Sequence, residues 1–122
     1  MEKQSTNMSK LNEDKVENKV VIDFGQLRDP DLRESFLAAF GSMVKRLLGS
    51  IFGNRKPIVT TVRGEPKEIR AFAQALKDEG RYISYIQKHG LDHPATHKNK
   101  AKLKASVKKF ERDTGVTWPF EV

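Results

Sequence analysis

The chain has 122 residues, a net charge of +7 and 37% hydrophobic residues, which is enough for one modest core and not for two. It has no cysteine, so a disulfide framework and a thiolate zinc site are excluded. No apolar run approaches the roughly 20 residues that cross a bilayer, and the polar amino terminus is unlike a signal peptide. These features predict a cytoplasmic protein with no membrane span.

Residues 1–19 are predicted to be a disordered amino-terminal arm. Lys, Glu, Asn, Ser and Gln dominate this stretch, and its few large apolar residues cannot offset the entropy lost on ordering. The arm is then either inert or becomes ordered on a partner. Residues 20–122 are expected to form a single small globular domain.

Two short strands are predicted in this domain, one on each side of the first helix. Residues 58–62 are almost all β-branched, which favours a half-buried strand. Residues 20–24 would form either a second strand or an extended segment that packs on the first helix. If both segments are strands, they would pair into a two-stranded sheet.

The first helix is predicted to begin at the Asp-Pro-Asp sequence of residues 29–31. That sequence supplies a capping side chain, a proline at the first helical position and an acid near the positive end of the helix dipole. Gly53 and Asn54 are expected to end the helix. Its broad apolar stripe is interpreted as half of the hydrophobic core. A membrane-surface helix and a self-association face are the alternatives. The stripe comprises Leu32, Phe36, Leu37, Phe40, Met43, Val44, Leu47, Leu48 and Ile51.

The second helix is predicted to begin at Glu65-Pro66 and to end at His89-Gly90. Gly80 indicates either a break in this helix or the close approach of another backbone. Acidic residues between 65 and 68, with Asp78 and Glu79, are interpreted as solvated positions, and Asp78 is expected to pair with Arg81. The predicted buried face comprises Ile69, Phe72, Ala73, Leu76, Ile83 and Ile86.

A third helix is predicted from about residue 94 or 96 to Thr114, with Gly115 closing it. Its narrow apolar stripe contains Leu103, Val107 and Phe110. The aromatic residues near the carboxyl terminus are expected to pack over the open end of the core. The predicted fold class is therefore α+β and predominantly helical, with three helices and one or two short strands.

The three histidines, His89, His93 and His97, are spaced four apart, which on an unbroken helix would suggest a metal site. Gly90 and Pro94 interrupt that spacing, so surface or capping histidines are predicted instead. There is no nucleophile motif, no paired-carboxylate motif and no glycine-rich phosphate loop. The sequence predicts a protein that is not an enzyme and has no metal or other cofactor.

The basic face of the last helix is the strongest functional signal in the sequence. From residue 97 onward there are seven Lys or Arg and three acids, a local charge that favours polyanions. Sequence-independent nucleic-acid binding is predicted, with base stacking by Tyr82, Tyr85 and Trp118 if they are exposed. The alternative is a solvated face that keeps the protein soluble. The predicted binding residues are Lys98, Lys100, Lys102, Lys104, Lys108, Lys109 and Arg112.

Several motifs of the carboxy-terminal half together form a recognisable pattern. The motifs are Val62-Arg63-Gly64-Glu65-Pro66, then Ile69 and Phe72-Ala73, then Arg81-Tyr82-Ile83, His89-Gly90-Leu91 and the run from Phe110 to Phe120. They are similar to those of small uncharacterised proteins of large tailed bacteriophages. The resemblance implies expression in a bacterial host cytoplasm, and a role in virion assembly or in genome handling.

A second function remains open from the sequence. This alternative is a structural or assembly protein, for example a virion-associated one. It would dock another protein through the apolar stripe of helix 30–53 or through the aromatic carboxyl terminus. Such a protein would also be a candidate homo-oligomer.

Overall fold

The computed structural model describes residues 19–52 and 58–122. The predicted arm lies outside the described residues except for Lys19, which is the first residue of a strand, and so does the predicted helix end at Gly53-Asn54. The domain is α+β and predominantly helical, as predicted. In chain order its elements are β1 (Lys19–Asp23), a 3-10 helix (Phe24–Arg28), α1 (Arg33–Phe52), β2 (Val59–Arg63), α2 (Pro66–His89) and α3 (Pro94–Thr114).

The two strands pair in parallel, with Lys19 opposite Val59 and Asp23 opposite Arg63. A parallel pair needs a crossover connection, and α1 lies between the two strands in the chain. On β1 the buried side chains are Val20 and Ile22, which alternate with exposed residues. One face of the small sheet therefore contributes to the core.

Helix α1 begins at Arg33, later than the predicted start. The Asp29 side chain accepts a hydrogen bond from the backbone N–H of Asp31, and the Asp29 carbonyl accepts from both Leu32 and Arg33. These bonds form a turn before the helix, and Leu32 is left exposed at 42%. The rest of the stripe mostly faces inward, because Phe36, Phe40, Val44, Leu47 and Leu48 are buried.

Helix α2 has the predicted ends, with Glu65 as the N-cap, Pro66 at the first helical position and Gly90 at the C-cap with a φ of 83°. The helix passes through Gly80 without a break. Its buried face is rotated from the predicted one, because Ala73 is exposed while Ala71 and Ala75 are buried. The rotation follows from α3, which packs against the side of α2 that carries these two alanines and Asp78.

Aromatic rings from all three helices meet at the centre of the core. Phe24 of the 3-10 helix lies within 6.0 Å of four other rings, measured between centroids. Trp118 packs edge-on against Phe110 at 5.2 Å, so the carboxy-terminal segment closes over the core as predicted. Each such aromatic pair contributes about 0.5–1.5 kcal/mol beyond the burial of its area. The four rings around Phe24 are Phe36, Phe40, Phe72 and Phe110.

Candidate nucleic-acid interface

Helix α3 is fixed at both ends and along its inner face. His93 is the N-cap, and its Nδ1 accepts a hydrogen bond of 3.0 Å from the backbone N–H of Ala95. Gly115 ends the helix in the left-handed conformation, with a φ of 76°. On the buried side, Thr96 donates its hydroxyl hydrogen to the Gly90 carbonyl at 2.8 Å. These contacts and the buried Leu103 hold α3 in one rotation about its axis.

That rotation leaves most of the predicted binding residues exposed to solvent. Among the described residues, no acid lies within ion-pairing distance of the four lysines at positions 98, 102, 104 and 108. The exposed members of the predicted site are Lys98, Lys102, Lys104, Lys108, Lys109 and Arg112.

One acid of α3 does pair with predicted binding residues. Asp113 lies 3.4 Å from Lys109 Nζ and 3.5 Å from Arg112 Nε. Desolvation acts to raise the pKa of Asp113, but the hydrogen bonds and charges of Lys109 and Arg112 outweigh it and lower that pKa. The carboxylate therefore stays ionised and partly neutralises the carboxy-terminal end of the basic face.

Lys100 is separated from the other predicted residues. It is half-buried and lines a pocket of about 240 Å³ together with Tyr82, Leu91, Asp92 and His97. This position lies between the buried face and the exposed face of α3. The structure therefore brings six of the seven predicted residues to the solvent side and places Lys100 at its margin.

The prediction that the acids of α2 are solvated is wrong for three of them. Glu68, Asp78 and Glu79 are only 3%, 5% and 5% exposed, whereas Glu65 is exposed as expected. Buried carboxylates are rare unless other groups satisfy their oxygens, and each of the three has such a partner. The partners Arg28, Ser106 and Trp118 are far away in the sequence, so helical spacing could not reveal them.

Asp78 lies in the seam between α2 and α3. Its carboxylate accepts hydrogen bonds from Gln74 Nε2 at 3.0 Å and from the hydroxyl of Ser106 on α3. The predicted pairing of Asp78 with Arg81 is therefore wrong, because the carboxylate faces α3 and Arg81 is exposed.

Glu68 and Glu79 are held by different chemistry. The Arg28 guanidinium donates two hydrogen bonds to Glu68, at 3.0 and 3.2 Å, and the backbone N–H of Glu65 donates a third. Glu79 accepts one bond, from Trp118 Nε1 at 2.8 Å. Burial raises the pKa of Glu79, and the indole only partly offsets that effect. Burial also acts to raise the pKa of Glu68. The hydrogen bonds from Arg28 and Glu65 and the charge of Arg28 outweigh it, so the pKa of Glu68 is lowered.

The cations of α2 were not predicted as binding residues, yet they lie on the exposed side of the helix. Arg70, Lys77, Arg81 and Lys88 are all exposed. They recur at intervals of seven, four and seven residues, which places them on one helical face. That spacing is visible in the sequence and is the signal that would have identified them.

The aromatic residues do not provide the predicted stacking platform. Trp118 is buried at 4% exposure, and Tyr82 and Tyr85 are half-buried. A buried indole cannot stack on a nucleobase, so the exposure that stacking by Trp118 requires is absent. The exposed surface of the helices offers cations without an accompanying exposed tryptophan.

His89 is the last residue of α2, His93 precedes α3, and His97 lies within α3. His89 and His93 stack with ring centroids 4.4 Å apart, and His93 caps α3 as described above. Over residues 19–52 and 58–122, no group of three or more His, Cys, Asp or Glu residues is arranged to hold a metal ion.

The alternative docking surface on α1 is partly covered. Leu37 and Ile51 are 39% and 60% exposed, while the larger part of the stripe is in the core. A groove of about 630 Å³ lies between α1 and the carboxy-terminal segment, with Leu37 and Gly41 on one side and Pro119 on the other. In the described part of the chain, no helix is long and apolar enough to cross a membrane.

Comparison of the chain with models of protein families, with curated proteins and with solved structures found no match.

Proposed function

We propose that the protein is a small basic binding protein, without catalytic activity, that engages nucleic acid through the exposed face of α3. The observation that carries this proposal is the set of exposed lysines at 98, 102, 104 and 108, which have no acid partner among the described residues. Each unpaired cation that meets a phosphate releases a condensed counterion, so binding strengthens as salt falls.

The proposed mode of binding is electrostatic and independent of sequence. Side chains of lysine contact phosphates as point charges, and such contacts position a protein without reading bases. The resemblance to phage proteins supports a genome-handling context in a bacterial host cytoplasm or in a virion. No cofactor or metal takes part in the proposed function.

The test is a titration of fluorescently labelled duplex and single-stranded DNA at two salt concentrations. The triple variant Lys98→Gln/Lys102→Gln/Lys108→Gln should reduce the slope of log K against log salt by about 3, because each phosphate contact adds about 0.9 to it. The matched control is Lys19→Gln/Lys45→Gln/Arg63→Gln, which removes the same charge from exposed positions on β1, α1 and β2. If the unmodified protein fails to bind at low salt, the proposal is wrong.

The alternative is an assembly role in which α1 docks another protein. The exposed Leu37 and Ile51 and the groove beside Pro119 support it. The aromatic carboxyl terminus supports it less, because Trp118 is committed to the core and to Glu79. Light scattering separates the two functions, since an oligomer that grows with concentration and has no nucleic-acid affinity favours assembly.

A further inference from the structure

The acids of α2 and α3 are buried or half-buried, so they contribute little to the solvent-facing surface of this helix pair. The three acids of α2 are buried, at positions 68, 78 and 79, while its cations face solvent. On α3, Asp113 is half-buried between Lys109 and Arg112. Glu111 is also half-buried, and it accepts a hydrogen bond of 2.8 Å from the backbone N–H of Trp118. The exposed cations of α2 are Lys67, Arg70, Lys77, Arg81 and Lys88.

The buried acids cannot readily turn outward to neutralise these cations. Rotating Asp78 out of the seam would break its bonds to Gln74 and Ser106. Rotating Glu79 out would leave the buried indole N–H of Trp118 without an acceptor. A buried donor without a partner costs about 1–3 kcal/mol, so the cationic character of the outer surface is a stable property of the fold.

Cations of the two helices flank the seam between α2 and α3. The helices run antiparallel, and the Asp78–Ser106 bond marks residues that lie side by side in the seam. One turn away from that bond, Arg81 on α2 and Lys102 on α3 are at the same level along the pair. The cations span residues 70–88 of α2 and 98–112 of α3, which correspond to about 27 Å and about 21 Å along the two helix axes.

The chemistry of this surface indicates what it can bind. Among the described residues, none of the exposed large hydrophobic side chains belongs to α2 or α3. A membrane-surface helix needs such side chains for insertion, so an anionic membrane is disfavoured. Binders of single strands combine cations with exposed aromatic rings, and here Trp118 is buried and Tyr85 half-buried. Cations carried at helical intervals on two long helices instead suit the regular phosphate rows of a duplex.

We infer that α2 and α3 together form a two-helix cationic surface that binds the phosphate backbone of double-stranded nucleic acid without reading its bases. The inference rests on the proposed function and deepens it, because it adds Arg70, Lys77, Arg81 and Lys88 to the interface and names the duplex as the ligand.

The test uses the full chain and the variant Arg70→Gln/Lys77→Gln/Arg81→Gln/Lys88→Gln. Glutamine keeps a good helix propensity, and all four positions are exposed, so circular dichroism and thermal melting should match those of the unmodified protein. On a labelled DNA duplex, the salt slope should fall by about 3–4 and the affinity at low salt by at least about tenfold. Duplexes of unrelated sequence should bind equally well.

The possible outcomes separate the inference from the proposed function. If the α2 variant binds like the unmodified protein while the α3 triple variant binds weakly, the inference is wrong and the proposed function stands. Tighter binding of single strands than of duplex, or binding of vesicles with anionic lipid but not of duplex, also overturns the inference. If the unmodified protein binds no nucleic acid at low salt, both proposals fall.

Discussion

Glu68 and Glu79 are both glutamates on the buried side of α2, yet their surroundings shift their pKa values in opposite directions. Glu68 lies under an arginine and accepts three hydrogen bonds, which lower its pKa. Glu79 is buried and accepts a hydrogen bond from the Trp118 indole, which is not enough to offset burial, so its pKa is raised. Burial alone therefore does not decide whether a carboxylate stabilises the fold; the charge of the group opposite it does.

The comparison has a direct consequence for stability as the pH changes. The folded pKa of Glu68 is lowered, so its contribution is present above its ordinary pKa of about 4.3 and is lost as the pH falls through the folded value. The folded pKa of Glu79 is raised, so its contribution is complete below about 4.3 and is lost as the pH rises through the folded value.

Gly64→Ala should have the largest effect, because it disrupts the Glu68 site directly. Gly64 has a φ of +146°, and an added Cβ would lie 2.8 Å from Glu68 Oε1 and 2.9 Å from Phe24 Cβ. The expected loss is about 2–4 kcal/mol in the free energy of unfolding, measured with urea. The control is Gly49→Ala in α1, where an added Cβ meets nothing within 4 Å and a gain of about 0.5–1 kcal/mol is expected. An equal effect of the two substitutions would contradict the close contact at Gly64.

Glu68→Gln should destabilise the protein by less, because it keeps the side-chain shape and the Arg28 side chain is half exposed. The unmodified protein should be more stable than the variant at about pH 7, and the difference should vanish as the pH falls well below about 4.3. Urea unfolding at several pH values measures this difference. The control, Glu121→Gln, removes an exposed carboxylate and should show little difference at any pH.

Glu79→Gln should have the smallest effect on the free energy of unfolding, and it should increase rather than decrease it. Glutamine can still accept the bond from Trp118 Nε1 but carries no charge, so the variant should be slightly more stable than the unmodified protein near neutral pH and equal to it in acid. Trp118 is the single tryptophan, so its fluorescence should report the ionisation of Glu79 at a pH above about 4.3. A fluorescence transition that persists in Glu79→Gln would assign it to another group.

The boundaries of α2 and α3 could be predicted because their signals are local. Pro66 and Pro94 lie at the first helical positions, and Gly90 and Gly115 lie at the ends with positive φ. The candidate interface on α3 was predictable for the same reason, since six of its seven cations are exposed where helical spacing placed them. The predicted start of α1 was too early, because the hydrogen bonds that Asp29 accepts form a turn and the helix begins only at Arg33.

What the sequence by itself determined is the set of helices, the strand-forming segments and the basic face of α3, since hydrophobic period, caps and net charge act over a few neighbouring residues. Only the tertiary structure decided that the strands pair in parallel and that α2 turns its acids inward. The inward placement of the acids depends on Arg28, Ser106 and Trp118, which meet their acidic partners across 40, 28 and 39 positions of the chain. Hydration favours a carboxylate at the protein surface. It can be buried only when other groups of the protein replace its hydrogen bonds to water, and here several of those groups are distant in the sequence.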